Sequence, residues 1–415
     1  MNTHADVVVL GAGLTGATTA LALAKSGVNV VLVDQDQRPM NRASLRNEGK
    51  IHLGFVFAND KTLATARLMI QGALGFRQSL CRLAGERAKT LSVSTPFVYL
   101  VAEDSILSPD AIEDRYTEVA SLYREHVRLH PELDYLGQSP TELFQAMPRS
   151  VVERHFSRER VAGAFQTAEL AIDTGELALV IQEAILAESR IRVLLSHRVM
   201  SVERLNNRFR VEGTSPGGTW RLESGQVVNA LWENRFKIDR TVGLHHPPGW
   251  LHRLKYRVIA HVPERLRSGP SATIVLGPYG DVVIRPDHTA FISWYPLGLR
   301  GWTGELAPPD AWNRPCRGEL KDEEARSIAA DLLGAIDAWY PGVGESTPLQ
   351  VDAGAIVAYG RTDVDDPNSG LHDRTRVGVT SVDGYHSVDP GKLTTAPLFG
   401  ELVARRVLHA QTAAA

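Results

Sequence analysis

The sequence predicts an α/β protein: a Rossmann-type dinucleotide-binding domain interleaved with a mainly antiparallel α+β domain. Three observations predict it. The first 33 residues alternate strand, helix and strand, with Gly11-Ala12-Gly13-Leu14-Thr15-Gly16 at the first turn. Two clusters of short β-type runs lie in mid-chain, around 192–230 and 255–295. The last 40 residues return to strand, turn and helix. At 415 residues the chain is too long for one ordinary core, so two closely packed domains are expected.

The elements follow in order. Residues 6–10 are a buried-strand run, 14–26 an Ala-rich helix ended by Gly27, and 29–33 a second strand. Residues 62–83 read as helix and 97–101 as strand. Residues 109–129 form a charged amphipathic helix opened by Ser108 and Pro109. A helix is expected over 176–189, then short strands at 192–195, 198–204, 208–212 and 227–230, punctuated by Ser215-Pro216-Gly217-Gly218. Further strands are expected at 255–262, 271–276, 280–285 and 289–295, then a helix at 322–340 and a strand at 351–359. The chain closes with a strand at 376–380 and a helix at 392–409. This pattern assigns 1–90, 151–240 and 351–415 to the nucleotide-binding domain, and 91–150 and 241–350 to the other.

Composition narrows the classes of function. The net charge of −3, from 45 basic and 48 acidic residues, gives no field for nucleic acid or anionic membrane. No stretch nears the roughly 20 apolar residues of a membrane span, and the apolar N-terminal run is too short for a signal peptide. Two cysteines, Cys81 and Cys316, cannot form a disulfide framework. A cytoplasmic protein acting on a small molecule is expected; the oligomeric state is not legible.

The glycines of the fingerprint have separate tasks. Gly11 permits the tight turn, Gly13 lets backbone approach a pyrophosphate, and Gly16 lets helix and strand pack closely. Leu14 and Thr15 open a helix whose N-terminal N–H groups and partial positive charge suit phosphates. Asp34 ends the second strand, where a carboxylate can accept ribose hydroxyls and would repel a 2′-phosphate. The fingerprint alone does not distinguish FAD from NAD.

Arg46-Asn47-Glu48-Gly49-Lys50-Ile51-His52-Leu53-Gly54-Phe55 is unusual for a surface loop. If extended from Lys50, it sets Ile51, Leu53, Phe55 and Phe57 on one face and Lys50, His52, Gly54 and Val56 on the other. Gly54 would leave room beside His52 for a flat ligand. This stretch resembles the Arg-Asn-Ser-Gly-Val-Ile-His-x-Gly pattern of L-2-hydroxyglutarate oxidases. They belong to the D-amino-acid-oxidase-type flavoprotein superfamily with glycine and sarcosine oxidases. Glu169-Leu170-Ala171-Ile172-Asp173 resembles its Glu-x-x-x-Asp, and Val228-Asn229-Ala230-Leu231-Trp232 its Val-Asn-Ala-Ala-Gly. Pro390-Gly391-Lys392-Leu393-Thr394-Thr395-Ala396-Pro397 resembles its flavin-contacting Pro-Gly-Leu-Thr-x-x-Pro turn. Trp232 stands where relatives usually have glycine, and Lys392 is inserted relative to the hydroxyglutarate oxidases.

The resemblance implies non-covalent FAD, with its ring between the domains, and an oxidase or dehydrogenase acting on a C–N or C–O bond. A small amino or hydroxy compound bearing a carboxylate is the implied substrate. Cofactor contacts are expected from Gly11, Gly13, Leu14, Thr15, Gly16, Asp34, Asn47, Gly49, Lys50, Gly391, Lys392, Leu393 and Thr394. Asp389 and Pro390 read as N-cap and N1 of a helix aimed at the flavin, and Lys392 would stabilise charge on its pyrimidine edge. His52 is a candidate base or hydrogen-bond donor. Arg285 is a candidate guanidinium anchor for the substrate carboxylate, with Arg253 and Lys255 as rivals and Tyr279, Trp294 and Tyr295 as candidate walls. The acids at 362–366 with His372 read as a solvated turn, so no metal is expected. Two alternatives stay open. An NAD(P)H-fed flavin hydroxylase would carry a Gly-Asp motif near 380, which Val382-Asp383-Gly384-Tyr385-His386 does not match. A non-catalytic FAD-binding scaffold is the other.

Overall fold

A computed structural model of the chain describes residues 4–277 and 279–414. Among these residues the strands form two large sheets and one small ribbon. The eight-stranded sheet is centred on His4–Leu10, which runs parallel to Val30–Val33 on one side and Gly218–Asn229 on the other. The apolar runs Val7 to Leu10 and Val30 to Val33 are buried because helices cover the sheet. Leu14–Lys25 packs on it with the C-terminal helix Ala396–Ala414. Thr19 donates to the Gly400 carbonyl at their contact.

The nine-stranded sheet is mainly antiparallel. Its long central strand Trp250–His261 pairs with Thr289–Trp294, Leu299–Thr303 and Thr347–Tyr359. The helix Asp322–Asp337 covers one face, burying Ile328, Leu332 and Ile336 against Tyr256, Val258 and Ile292. Helix Pro109–Leu129 begins as expected, with Ser108 accepting from the Ala111 N–H at 3.3 Å.

The chain alternates between the two large sheets, and two segments lie in a different sheet from the one expected. Val161–Thr167 joins the antiparallel sheet beside Phe97–Ala102, and Thr347–Tyr359 lies along Trp250–His261. Both segments were expected in the nucleotide-binding part. Pairing along the long strand outweighs sequence proximity to the C-terminal turn. Tyr385–Asp389, not foreseen, pairs with Gly378–Val382 through Asp383 and Gly384, both at positive φ (43° and 87°). This is the Asp-Gly hairpin geometry, and it brings Ser387 beside Asn229 in the parallel part of the sheet.

Candidate active site

One cavity runs from the glycine turn to the antiparallel sheet, with an empty volume of about 1950 Å³, open solvent at its mouth included. Its walls come from both the glycine turn and the antiparallel sheet, as a dinucleotide with a substrate beyond it would need.

At the outer end, Gly11 has φ +94°, and a Cβ there would lie 2.6 Å from the Ala230 carbonyl oxygen. No L side chain fits. Gly13 is the N-cap of the first helix and offers no side-chain cap; Ser44 alone accepts the Leu14 N–H, at 2.9 Å. Gly11, Gly13, Leu14 and Thr15 line the cavity, whereas Gly16 is spent on helix–strand packing against Gly11. Asp34 accepts from the Ala12 N–H at 2.6 Å and the Asp36 N–H at 2.8 Å, and burial raises its pKa to about 6. It still lines the cavity. An uncapped helix start, a glycine wall and a carboxylate fit the pyrophosphate and ribose of FAD.

The Arg46–Gly54 segment is held by three other parts of the chain. Asp352 takes Arg46 at 3.2 Å and Arg257 at 2.6 Å. Asn47 donates to the Ala43 carbonyl and accepts from the Gly49 N–H. Gly49 turns at φ +75° against the Ile172 carbonyl, so its part is conformational and it does not line the cavity. Extension stops after Lys50–Ile51, which pairs with Leu170–Ala171; Phe55–Phe57 is a helical turn. The expected alternation holds only in part: Ile51, Leu53 and Phe55 are core and Lys50, His52 and Val56 line the cavity, but Phe57, expected with the first set, lines the cavity too, because the chain turns helical there. Gly54 has a different reason from the one expected. Its φ is +109°, and a Cβ would lie 2.7 Å from that of Ala66, so helix packing requires the glycine.

His52 is buried, and its N–H donates to the Thr394 hydroxyl at 2.9 Å. Its ring stands between two carboxylates, 3.7 Å from Glu48 and 3.6 Å from Glu169. Glu169 is fully buried, taking the Leu53 and Gly54 N–H groups and the Tyr99 hydroxyl. Burial alone would raise its pKa, yet His52, Lys50 and Tyr99 hold it below the usual range. Thr394 is thus a backbone tie rather than a cavity wall.

At the C-terminal turn, Asp389 and Pro390 are not the helix start expected of them. Asp389 ends a strand, bonding the Gly391 N–H at 3.0 Å and Arg235 at 2.6 Å. Gly391 at φ +67° breaks the chain there, and a single turn, Leu393–Thr395, precedes the helix Ala396–Ala414. Gly391, Lys392 and Leu393 line the cavity. Lys392 has no ion pair among the described residues, and burial lowers its pKa to about 8.

The inner end gathers Glu48, Lys50, Lys255, Thr273, Tyr279, Asp281, Tyr295 and Arg374. The ion-pair partner of Glu48 among the described residues is the His52 ring at 3.7 Å. Burial would raise the Glu48 pKa, but His52, Lys392 and Lys255 hold it well down. The Arg374 Nε is buried with no hydrogen-bond partner. Arg285 does not reach this cavity: it pairs with Asp173 at 3.2 Å, the residue capping the helix Thr174–Ala187. Arg253 is buried and donates to the Gly360 and Thr362 carbonyls, so it anchors a loop. Trp294 belongs to the core under the antiparallel sheet. Sequence reasoning missed Arg374 and Glu48. The signal for Glu48 was a carboxylate in place of the serine in the resembled pattern; Arg374 sits in an aperiodic loop that carries none.

The family model described as "FAD dependent oxidoreductase" (DAO) matches residues 6–406. Among solved structures, glycine oxidase from Geobacillus kaustophilus superposes with a TM-score of 0.69 at 16% identity, covering 98% of this chain and 95% of its own. Iminodiacetate oxidase from Chelativorans sp. BNC1 gives 0.65 at 17%, covering 97% and 95%. L-alpha-glycerophosphate oxidase from Mycoplasma pneumoniae, solved with FAD bound, gives 0.61 at 16%, covering 98% and 94%. No curated protein matches the sequence. With the family match spanning nearly its whole length, the chain belongs to the DAO family of FAD-dependent oxidoreductases, and FAD is its cofactor.

Proposed function

We propose that the protein oxidises the C–N bond of a small amino acid. The observation that carries this reading is the presence at the cavity's inner end of a guanidinium without an ion-pair partner, Arg374, and a carboxylate, Glu48, whose ion-pair partner is the His52 ring at 3.7 Å. An amino acid brings the two complements, a carboxylate and an amine. Bound FAD supplies the two-electron acceptor; Gly391, Lys392 and Leu393 would hold its ring and the first helix its phosphates. Arg374 fixes the substrate carboxylate through paired N–H bonds, and Glu48 accepts an amine N–H, so one C–H is presented in one orientation. His52 keeps Glu48 in place and ionised. Lys392, lowered to about 8 by burial, can carry or yield a proton near neutral pH. Tyr279 and Tyr295, 6.1 Å apart, wall the chamber against water. Glycine and iminodiacetate, named for two of the fold's neighbours, carry the same pair of groups. A hydroxy acid would leave Glu48 a single O–H donor. The two cysteines are unpaired, which fits a reducing, cytoplasmic setting.

The test is an anaerobic screen of amino and hydroxy acids against the purified yellow protein without NADPH. Loss of flavin absorbance with amino acids is expected. Reduction only by hydroxy acids, or only by NADPH, overturns the reading.

A further inference from the structure

The inner chamber carries more positive charge than an amino acid needs. Four cations line it, Lys50, Lys255, Arg374 and Lys392, against two carboxylates, Glu48 and Asp281. Asp281 is already well served. Its Oδ1 takes Lys50 at 3.1 Å and the Thr273 hydroxyl at 2.8 Å, and its Oδ2 takes Ser293 at 3.4 Å. Lys50 is served in turn, bonded to Thr273 and lying 4.1 Å over the Phe97 ring. Lys255 is not. It stands 3.6 Å from the second Asp281 oxygen, too far for a hydrogen bond, and 4.2 Å over the Tyr295 ring. Lys50 therefore takes the hydrogen bond to Asp281, and Lys255, which keeps only the longer ion pair, faces the cavity with donors to spare.

A zwitterionic substrate adds no net charge, so it would leave this excess where it is. We infer that Lys255 forms a second anion subsite beside Arg374, and that the substrate is an amino acid with an acidic side chain. This rests on the amino-acid reading above. One substrate carboxylate lies on Arg374 and the other on Lys255, while the amine lies on Glu48. Burial alone would lower the Lys255 pKa, but Tyr295, Asp281 and Glu48 raise it, so the ammonium persists at neutral pH. Lys50 stands where the resembled pattern has valine. It is a positioning residue: it occupies Asp281 and so leaves the Lys255 charge for the substrate.

The experiment compares acid and amide pairs on the FAD-loaded protein: aspartate with asparagine, and glutamate with glutamine. kcat/KM for flavin reduction is read for each. Succinate and succinamate are titrated as unreactive ligands through the flavin spectrum. The acid is expected to exceed its amide by about 30-fold, the scale of a charged hydrogen bond. Lys255→Met should bring the ratio near one, chiefly through KM, and Lys255→Arg should keep most of it. Amides reducing the flavin as well as acids, or Lys255→Met lowering both alike, would overturn the subsite. If no amino acid reduces the flavin, the amino-acid reading fails, and succinate binding still decides the subsite. Tight succinate binding that Lys255→Met abolishes supports it; succinate and succinamate binding alike in wild type refutes it.

Discussion

The two ends of the cavity are built on opposite plans. The outer end comes mainly from the 24 residues Gly11 to Asp34, with Ser44 and Ala230 beside them, and works largely through backbone: a turn, a helix start, N–H groups. The inner end draws Glu48, Lys255, Asp281, Arg374 and Lys392 from distant segments and works through side-chain charge. The difference teaches where specificity can reside. Backbone geometry recognises what every bearer of the cofactor shares, whereas the charged cluster can be rewritten one residue at a time.

The largest effect should come from the cluster. Arg374→Ala is expected to raise KM for the amino acid by the equivalent of roughly 2–5 kcal/mol, the range for truncating one partner of a desolvated charge pair. FAD content should stay at wild-type level, and Arg374→Lys should restore only part, since a lysine lacks the planar fork. An unchanged KM would remove Arg374 from the site and leave the inner end without its anchor.

A smaller effect is expected at the outer end. Asp34→Ala should weaken FAD by about 1.5–3 kcal/mol, measured by titrating apoprotein. Burial raises the Asp34 pKa to about 6, so its accepting carboxylate is progressively lost as pH falls through that value. FAD affinity should decline below about pH 6, and Asp34→Asn should flatten the decline. A wild-type affinity that ignores pH between 5 and 7 would mean the ribose is held elsewhere.

The smallest effect separates anchor from scaffold. Arg285→Ala removes a largely buried pair with Asp173 outside the cavity and should lower stability, visible in Tm, without touching catalysis. KM should not move; if it does, the carboxylate sits nearer Arg285 than the cavity does.

The same contrast explains what could be read in the sequence. The fingerprint, the helix at Pro109–Leu129 and the His52 motif were legible because local rules govern them: glycine conformations, a Ser-Pro cap, an alternation of faces. The hairpin at Asp383-Gly384 was equally local and was overlooked, because its flanks are short and the dipeptide was read only as a failed match to another motif. Arg285 illustrates the opposite case. Its strand position was right, but which residue it meets depends on where the helix cap at Asp173 lies, a long-range fact. Arg374 was illegible for the same reason. A cation in an aperiodic loop declares itself only when the fold shows that nothing pairs with it.

One feature of the topology bears on how such charges can act. The described chain passes four times between the two sheets, and the ribbon of Lys50–Ile51 with Leu170–Ala171 lies along two of those passages. Four covalent crossings lace the sheets together. The connection after Tyr359 is tied at its start by Arg253, and near its end the Arg374 N–H meets the Thr65 hydroxyl at 3.0 Å. The dipoles and ammonium groups around the reacting carbon are therefore set before it arrives. Little reorganisation energy is left to be spent during electron transfer, which is the condition under which fixed charge accelerates a reaction most.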